Sequence, residues 1–205
     1  MNDSSTLNKS AHYISAITHP LFMPVVGFII FNQYNYTSFS GQSFFVLMGV
    51  FAITVVALPA YLIFSLKRGG HIQSYEMETI QERRLPLLFT AFALLFNYYL
   101  MQRANMQQLY QWYFISTSIA GILALGISLF YKVSLHTIGM GFLFGLGLVL
   151  SHLNNSDMRW YLIFILLLTG FVATSRLILK AHTLPQIYLG FFVGAFSAAG
   201  ILLFL

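Results

Sequence analysis

Phe-Ala-Ile-Thr-Val-Val-Ala-Leu, residues 51–58, decides the fold class. A strand with one face to a core or to lipid alternates apolar and polar residues with period two, and this run does not alternate. It lies inside a longer stretch, Ser43 to Leu66, that carries no charge at all. A spanning helix needs about 17–25 predominantly apolar residues, so the stretch reads as a transmembrane helix rather than as a barrel strand.

Six more stretches of the same kind flank it: Ile14 to Phe31, Leu85 to Met101, Trp112 to Tyr131, Thr137 to Leu153, Trp160 to Thr174 and Leu184 to Leu205. The expectation is an all-α polytopic bundle of about six to seven transmembrane helices. Trp160 to Thr174 is short and is expected to draw on its flanks. Ile14 to Phe31 holds His19, Pro20 and Pro24 and is read as a span or as a partly re-entrant or interfacial helix. It does not read as a secretory signal, because Asn-Gln-Tyr-Asn-Tyr-Thr at 32–37 follows where a small-residue cleavage site belongs.

Composition agrees. Of 205 residues 58% are hydrophobic and only 7% charged, against about 25% charged in an ordinary soluble domain. With 21 Phe and 12 Tyr the chain is not disordered, and without cysteine it holds no disulfide or thiolate metal site. The longest polar stretch is only Lys67 to Arg84, so residues 1–205 read as one helical domain. Gly141 and Gly145, and Gly190, Gly194 and Ala198, recur four apart and are assigned to close helix packing.

If all seven stretches span, one face receives Lys9, Lys67, Arg68, Arg83, Arg84, Lys132, Arg176 and Lys180, and the other only Arg103 and Arg159. The positive-inside tendency then puts the first face in the cytoplasm. That same face collects Ser134, His136, Ser175 and His182. Polar groups at the ends of apolar helices are costly unless paired, hydrated or used.

Residues 174–190, Thr-Ser-Arg-Leu-Ile-Leu-Lys-Ala-His-Thr-Leu-Pro-Gln-Ile-Tyr-Leu-Gly, suggest phosphate chemistry. Arg176 suits a bidentate grip on a phosphate, Ser175 a further hydrogen bond, and His182 a nucleophile or acid. Gln186 follows His182 at i+4 and is placed to orient its imidazole. Lys132, Ser134 and His136 offer a second cation, hydroxyl and imidazole at a helix start, where free N–H groups favour an anion. Arg83 and Arg84, before Leu85-Pro86, add a third cationic element.

These residues resemble the type 2 phosphatidic acid phosphatase (lipid phosphate phosphatase) superfamily over roughly residues 75–195. Its three motifs run Lys, six residues, Arg-Pro; Pro-Ser-Gly-His; and Ser-Arg, five residues, His, three residues, Asp. Ser175-Arg176, five residues and His182 follow the third motif through its histidine, and Ser134 and His136 keep two residues of the second. Arg84-Leu85-Pro86 stands loosely for the first, with Arg83 the alternative. The resemblance implies a helical membrane bundle that hydrolyses a lipid phosphate or diphosphate with no metal and no cofactor. By the same resemblance His182 forms a phosphohistidine, His136 protonates the leaving oxygen, and Arg84, Ser134 and Arg176 hold phosphoryl oxygens.

The chain departs from that pattern in three places. The first-motif lysine is replaced by Met77 or Glu76, the glycine beside His136 by Leu135, and the third-motif aspartate by Gln186. A catalytically degenerate relative that binds or transports an anionic lipid is therefore the alternative, and an unrelated transporter a third. Glu76, Glu78 and Glu82 lack the spacing of a Mg²⁺ diphosphate site and read as a solvated loop helix. His19 sits at the same face, as a capping or packing residue or as part of the site's lining. The expected partners are a phosphorylated lipid and the membrane, with no nucleic acid, and the expected location is a bacterial inner membrane.

Overall fold

Helices make up the described regular structure of the chain in a computed structural model that describes residues 2–35, 38–39, 41–75, 77, 79–154 and 156–200. Their order is α1 (Asn2–Ile17), α2 (Met23–Tyr34), α3 (Gly41–Ala52), a π-helical turn (Ile53–Ala57), α4 (Leu58–Arg68), α5 (Ile80–Arg103), α6 (Gln108–Ser128), α7 (Leu135–Asn154), α8 (Arg159–Ile178) and α9 (Leu184–Ala199). Five of the described helices are long and apolar enough to cross a membrane: Gly41–Arg68, Ile80–Arg103, Gln108–Ser128, Leu135–Leu153 and Arg159–Ile178. The chain is an all-helical membrane protein.

Two of the seven apolar stretches give shorter helices. Ile14 to Phe31 is divided, because Pro20 has no N–H to continue a helix and the residue before it is pushed out of helical conformation. The main chain turns through residues 18–22 between α1 and α2, with the Phe22 N–H donating to the His19 carbonyl. At the other end α9 is 16 residues long, and residues 201–205 of the last stretch lie outside the described residues. Trp160 to Thr174 does extend into its flanks, as the 20-residue α8.

The chain groups into two compact units, Met1–Met23 with Val133–Leu205, and Pro24–Lys132. The first contains α1, α7, α8 and α9. Glycines set its central crossing of α7 and α9. A methyl on Gly141 would overlap the Phe191 carbonyl, and one on Gly194 the Ile138 carbonyl. The two backbones touch because neither helix has a side chain at these points. The α8 helix packs on α7, and α1 packs on α8.

In the second unit α5 packs along α6, and the α3–π–α4 helix packs on α5. Its core is aromatic: Phe28 lies 5.8 Å from Phe51 and 5.6 Å from Phe114, ring centre to ring centre. Pro59 explains the π turn. With no N–H at 59 the helix widens just before it, and the Leu58 N–H bonds five residues back to the Ile53 carbonyl. The connection from α4 to α5 is organised by Glu82, whose two oxygens accept the Gln73 and Thr79 N–H groups, while the Thr79 hydroxyl accepts the Glu82 N–H. Glu82 is thus a helix cap. Glu76 and Glu78 lie outside the described residues.

Candidate functional site

The short link from α8 to α9 is shaped by how α8 ends. The Ala181 N–H donates to the Arg176 carbonyl at 3.0 Å and the Lys180 N–H to the Leu177 carbonyl at 2.9 Å. This is a Schellman turn, with Lys180 left-handed at φ 51. Glycine is usual at that position, because the left-handed region crowds a Cβ. The reversal returns the chain to the end of α8, so Arg176 and His182 stand at the same helix-end turn.

The start of α9 then sets the imidazole. Gln186 Oε1 accepts the Thr183 N–H at 3.1 Å and lies 3.1 Å from His182 Nδ1. A backbone N–H can only donate, so the atom facing it is the amide oxygen and not the nitrogen. His182 Nδ1 must then carry a hydrogen to share that oxygen. In the neutral ring the lone pair sits on Nε2. The amide thus selects one tautomer through its capping contact.

His136, on the first turn of α7, is buried, and its Nε2 lies 3.0 Å from the Ser15 carbonyl of α1. A carbonyl only accepts, so Nε2 is the protonated nitrogen. Arg176, His19 and His182 all lie within electrostatic range of this ring. His19 approaches it edge-on at 5.8 Å between ring centres, and the Leu21 N–H donates to His19 Nδ1. Three imidazoles and one guanidinium from three separate stretches of sequence therefore share one neighbourhood.

Arg176 is 2% exposed, so its charge is held away from bulk water. Its Nη1–H donates to Ser15 Oγ at 3.1 Å. Ser175 directs its own hydroxyl hydrogen to the Val172 carbonyl at 2.7 Å, so at the 3.3 Å contact between the two serines it is Ser15 that donates. The resulting chain runs from Arg176 through Ser15 and Ser175 to Val172. Between Ser134 and Gly200 the sequence has one acidic residue, Asp157. Its carboxylate forms an ion pair with Arg159 at 2.7 Å, at the opposite end of α8, about 25 Å from Arg176 at 1.5 Å per residue.

Ser134 caps α7. Its hydroxyl is 3.5 Å from the Thr137 N–H, and its own N–H donates to the Gln186 carbonyl, which ties the two helix starts together. Of the nine site residues read from the sequence, six belong to this unit: Ser134, His136, Ser175, Arg176, His182 and Gln186. The other three, Arg83, Arg84 and Lys132, belong to the second unit. There Arg83 is buried with its Nε–H on the Met77 carbonyl at 2.7 Å, Arg84 is exposed, and Lys132 is half-buried.

Sequence reading missed Ser15. Its only signal is spacing: Ala11 and Ser15 lie four apart, which puts two small side chains on one face of α1, and His19 follows four residues later, beyond the end of the helix. No family model matches the chain, and no match to it was found among curated proteins or solved structures.

Proposed function

We propose that this membrane protein is phosphatase-like and hydrolyses a lipid phosphate or diphosphate through a phosphohistidine on His182. The observation that carries the reading is the His182–Gln186 contact, which puts the lone pair of a neutral imidazole on Nε2, the nitrogen proposed to attack. In the proposed reaction a bond forms between Nε2 and phosphorus while the phosphorus–oxygen bond to the lipid breaks. The leaving oxygen takes a proton from His136 in its imidazolium form, which leaves that ring neutral. Water then attacks the phosphohistidine and gives a proton back to His136 as the phosphorus–nitrogen bond breaks, which releases phosphate and restores both histidines. Arg176 supports this scheme as a buried guanidinium able to bind equatorial oxygens, and the Ser175 and Ser134 hydroxyls are proposed to add hydrogen bonds.

One observation favours the alternative, a binder or carrier of anionic lipid that does not cleave it. Gln186 is neutral, so it orients the ring without offsetting the charge that develops on attack. The deciding experiment is phosphate release from a panel of lipid phosphates by purified protein, with binding measured in parallel. Hydrolysis abolished by His182→Ala supports the enzyme. Arg176-dependent binding with no hydrolysis selects the binder, and no binding to any phosphorylated lipid rejects both.

A further inference from the structure

Ser15 holds two of the donors that the phosphate reading assigns to the ligand. Arg176 Nη1–H points at its hydroxyl oxygen, and His136 Nε2–H at its carbonyl. The carbonyl is available for a local reason. In a continuing helix it would accept the N–H of His19, but α1 tightens at its end, and that N–H goes to the Ala16 carbonyl at 3.3 Å. Pro20 supplies none. An orphan carbonyl at a helix C-terminus carries the negative end of the helix dipole, equivalent to about half an elementary charge. What faces Arg176 and His136 is therefore a pair of oxygens with partial negative charge.

We infer that the C-terminal turn of α1 is a built-in occupant of the anion site, which a phosphate head must displace. The inference rests on the phosphate-lipid reading of Arg176, His136 and His182. It deepens that reading by giving the site a closed state. With α1 seated, the hydrogen that His136 would pass to a leaving oxygen is held by the Ser15 carbonyl, and one arm of Arg176 is engaged. A carbonyl oxygen and a phosphate oxygen repel, so the two occupants exclude each other. Exchange favours the ligand, because a phosphate brings full negative charge to a buried guanidinium where Ser15 offers only partial charge. The α1 helix itself is seated by small side chains, with Ala11 and Ser15 buried while Leu7, Tyr13 and Ile17 are exposed. Its attachment is thus shallow.

A reversible lock tests this on the full chain. The protein has no cysteine, and the Ser15 and Ser175 hydroxyl oxygens are 3.3 Å apart, so Ser15→Cys with Ser175→Cys places two thiols within reach of a disulfide. Short-chain phosphatidic acid is titrated into this variant in neutral detergent, first reduced and then oxidised, with Arg176→Ala as the measure of site-specific binding. Oxidation is expected to weaken binding at least tenfold and reduction to restore it. In the single variant Ser15→Ala, loss of one competing acceptor is expected to tighten binding roughly threefold to tenfold. Equal Arg176-dependent binding in both redox states overturns the inference and leaves the phosphate reading standing. So does weaker binding by Ser15→Ala, which would make Ser15 part of the ligand's own grip. Absence of Arg176-dependent binding in parent and reduced variant alike rejects the phosphate reading, and the inference falls with it.

Discussion

Gly194→Ala is the most direct test of how the site is held. A methyl at this position of α9 would meet α7 backbone: the Ile138 carbonyl oxygen, the Phe142 nitrogen at 2.7 Å and the Ile138 carbonyl carbon at 2.8 Å. Ordinary contact begins at 3.4 Å, so relief of the Phe142 contact alone needs 0.7 Å of movement. Backbone atoms cannot rotate aside as a flexible side chain does. The helices must separate or slide, and overpacking of this kind costs about 1–3 kcal/mol, with the upper end expected where both sides are backbone. Gly170→Ala in α8 is the control, since a methyl there meets nothing within 4 Å. Removing a helix-interior glycine should stabilise by roughly 0.5–1 kcal/mol. The assay is reversible unfolding of both variants in mixed detergent micelles. The same displacement should reach the site, because the Ser134 N–H to Gln186 carbonyl bond that ties the starts of α7 and α9 is already 3.3 Å long. On the phosphatase reading, turnover by Gly194→Ala falls by up to about a hundredfold, as expected for misplacement near 1 Å. If Gly194→Ala unfolds within ~0.5 kcal/mol of the parent while Gly170→Ala behaves as stated, the close-contact account of the crossing is wrong.

Three further outcomes follow from single contacts. Gln186→Leu removes the acceptor for both His182 Nδ1–H and the Thr183 N–H, so it should cost ~1 kcal/mol of stability and release the His182 tautomer; Gln186→Glu keeps both contacts and should raise turnover, with ¹⁵N shifts of the imidazole reporting which nitrogen is protonated. In the second unit, Asn97 donates to Thr54 Oγ1 and the Ala93 carbonyl, each at 2.8 Å, while its buried Oδ1 has no partner among the described residues. Thr54→Val should therefore destabilise by about 0.6–1.7 kcal/mol, whereas Asn97→Leu, which removes the orphaned oxygen as well, should be nearly neutral by the same unfolding assay. The Asp157 carboxylate, hydrogen-bonded by the Arg159 side chain and N–H, is held down from 3.8 to about 2. Because the folded value is the lower one, the stabilisation is present above the ordinary carboxylate range and is lost as pH falls through about 2, and Arg159→Gln should return the carbon-13 titration midpoint of Asp157 toward 3.8.

The parts of this fold legible in sequence are those set by one residue type acting alone. Uncharged runs of spanning length gave the long helices, His19-Pro20 marked a break, and the four-residue spacing of Gly141, Gly145, Gly190 and Gly194 marked where two backbones meet. What was not legible depends on how a helix is rotated or on what lies across from it. Arg83 and Arg84 are neighbours in sequence, yet about 100° of helical rotation separates them, so one is buried on the Met77 carbonyl and the other is exposed. Composition cannot supply that angle. Pro59 was visible, but the widening of the helix just before it was not, because a proline is compatible with a kink, a break or a π turn. Ser15 stayed hidden for the simplest reason: one serine in a polar helix looks like any other until the helix is placed beside Arg176.

The neutral Gln186, where the resembled phosphatase motif has an aspartate, bears on what ligand the proposed site would use. Gln186 reproduces the geometric half of a carboxylate's work, since its oxygen fixes the Nδ1 hydrogen, but it adds no negative charge. Among the described groups, those that act electrostatically on His136 are a guanidinium and two imidazoles, and the Ser15 oxygens beside them carry only partial negative charge. On the phosphatase reading, positive charge building on His182 is then offset chiefly by the substrate. A phosphomonoester dianion brings about two charges within bonding distance of the ring, whereas a diester brings one, spread over fewer free oxygens. In a poorly hydrated site that difference is magnified, because an attraction at a few ångströms grows as the effective dielectric falls. The same charge must also outcompete the Ser15 carbonyl for Arg176 and His136, where a dianion again has the advantage over a monoanion. Both steps, seating the head and stabilising the attacked state, therefore select a terminal phosphate over an internal one.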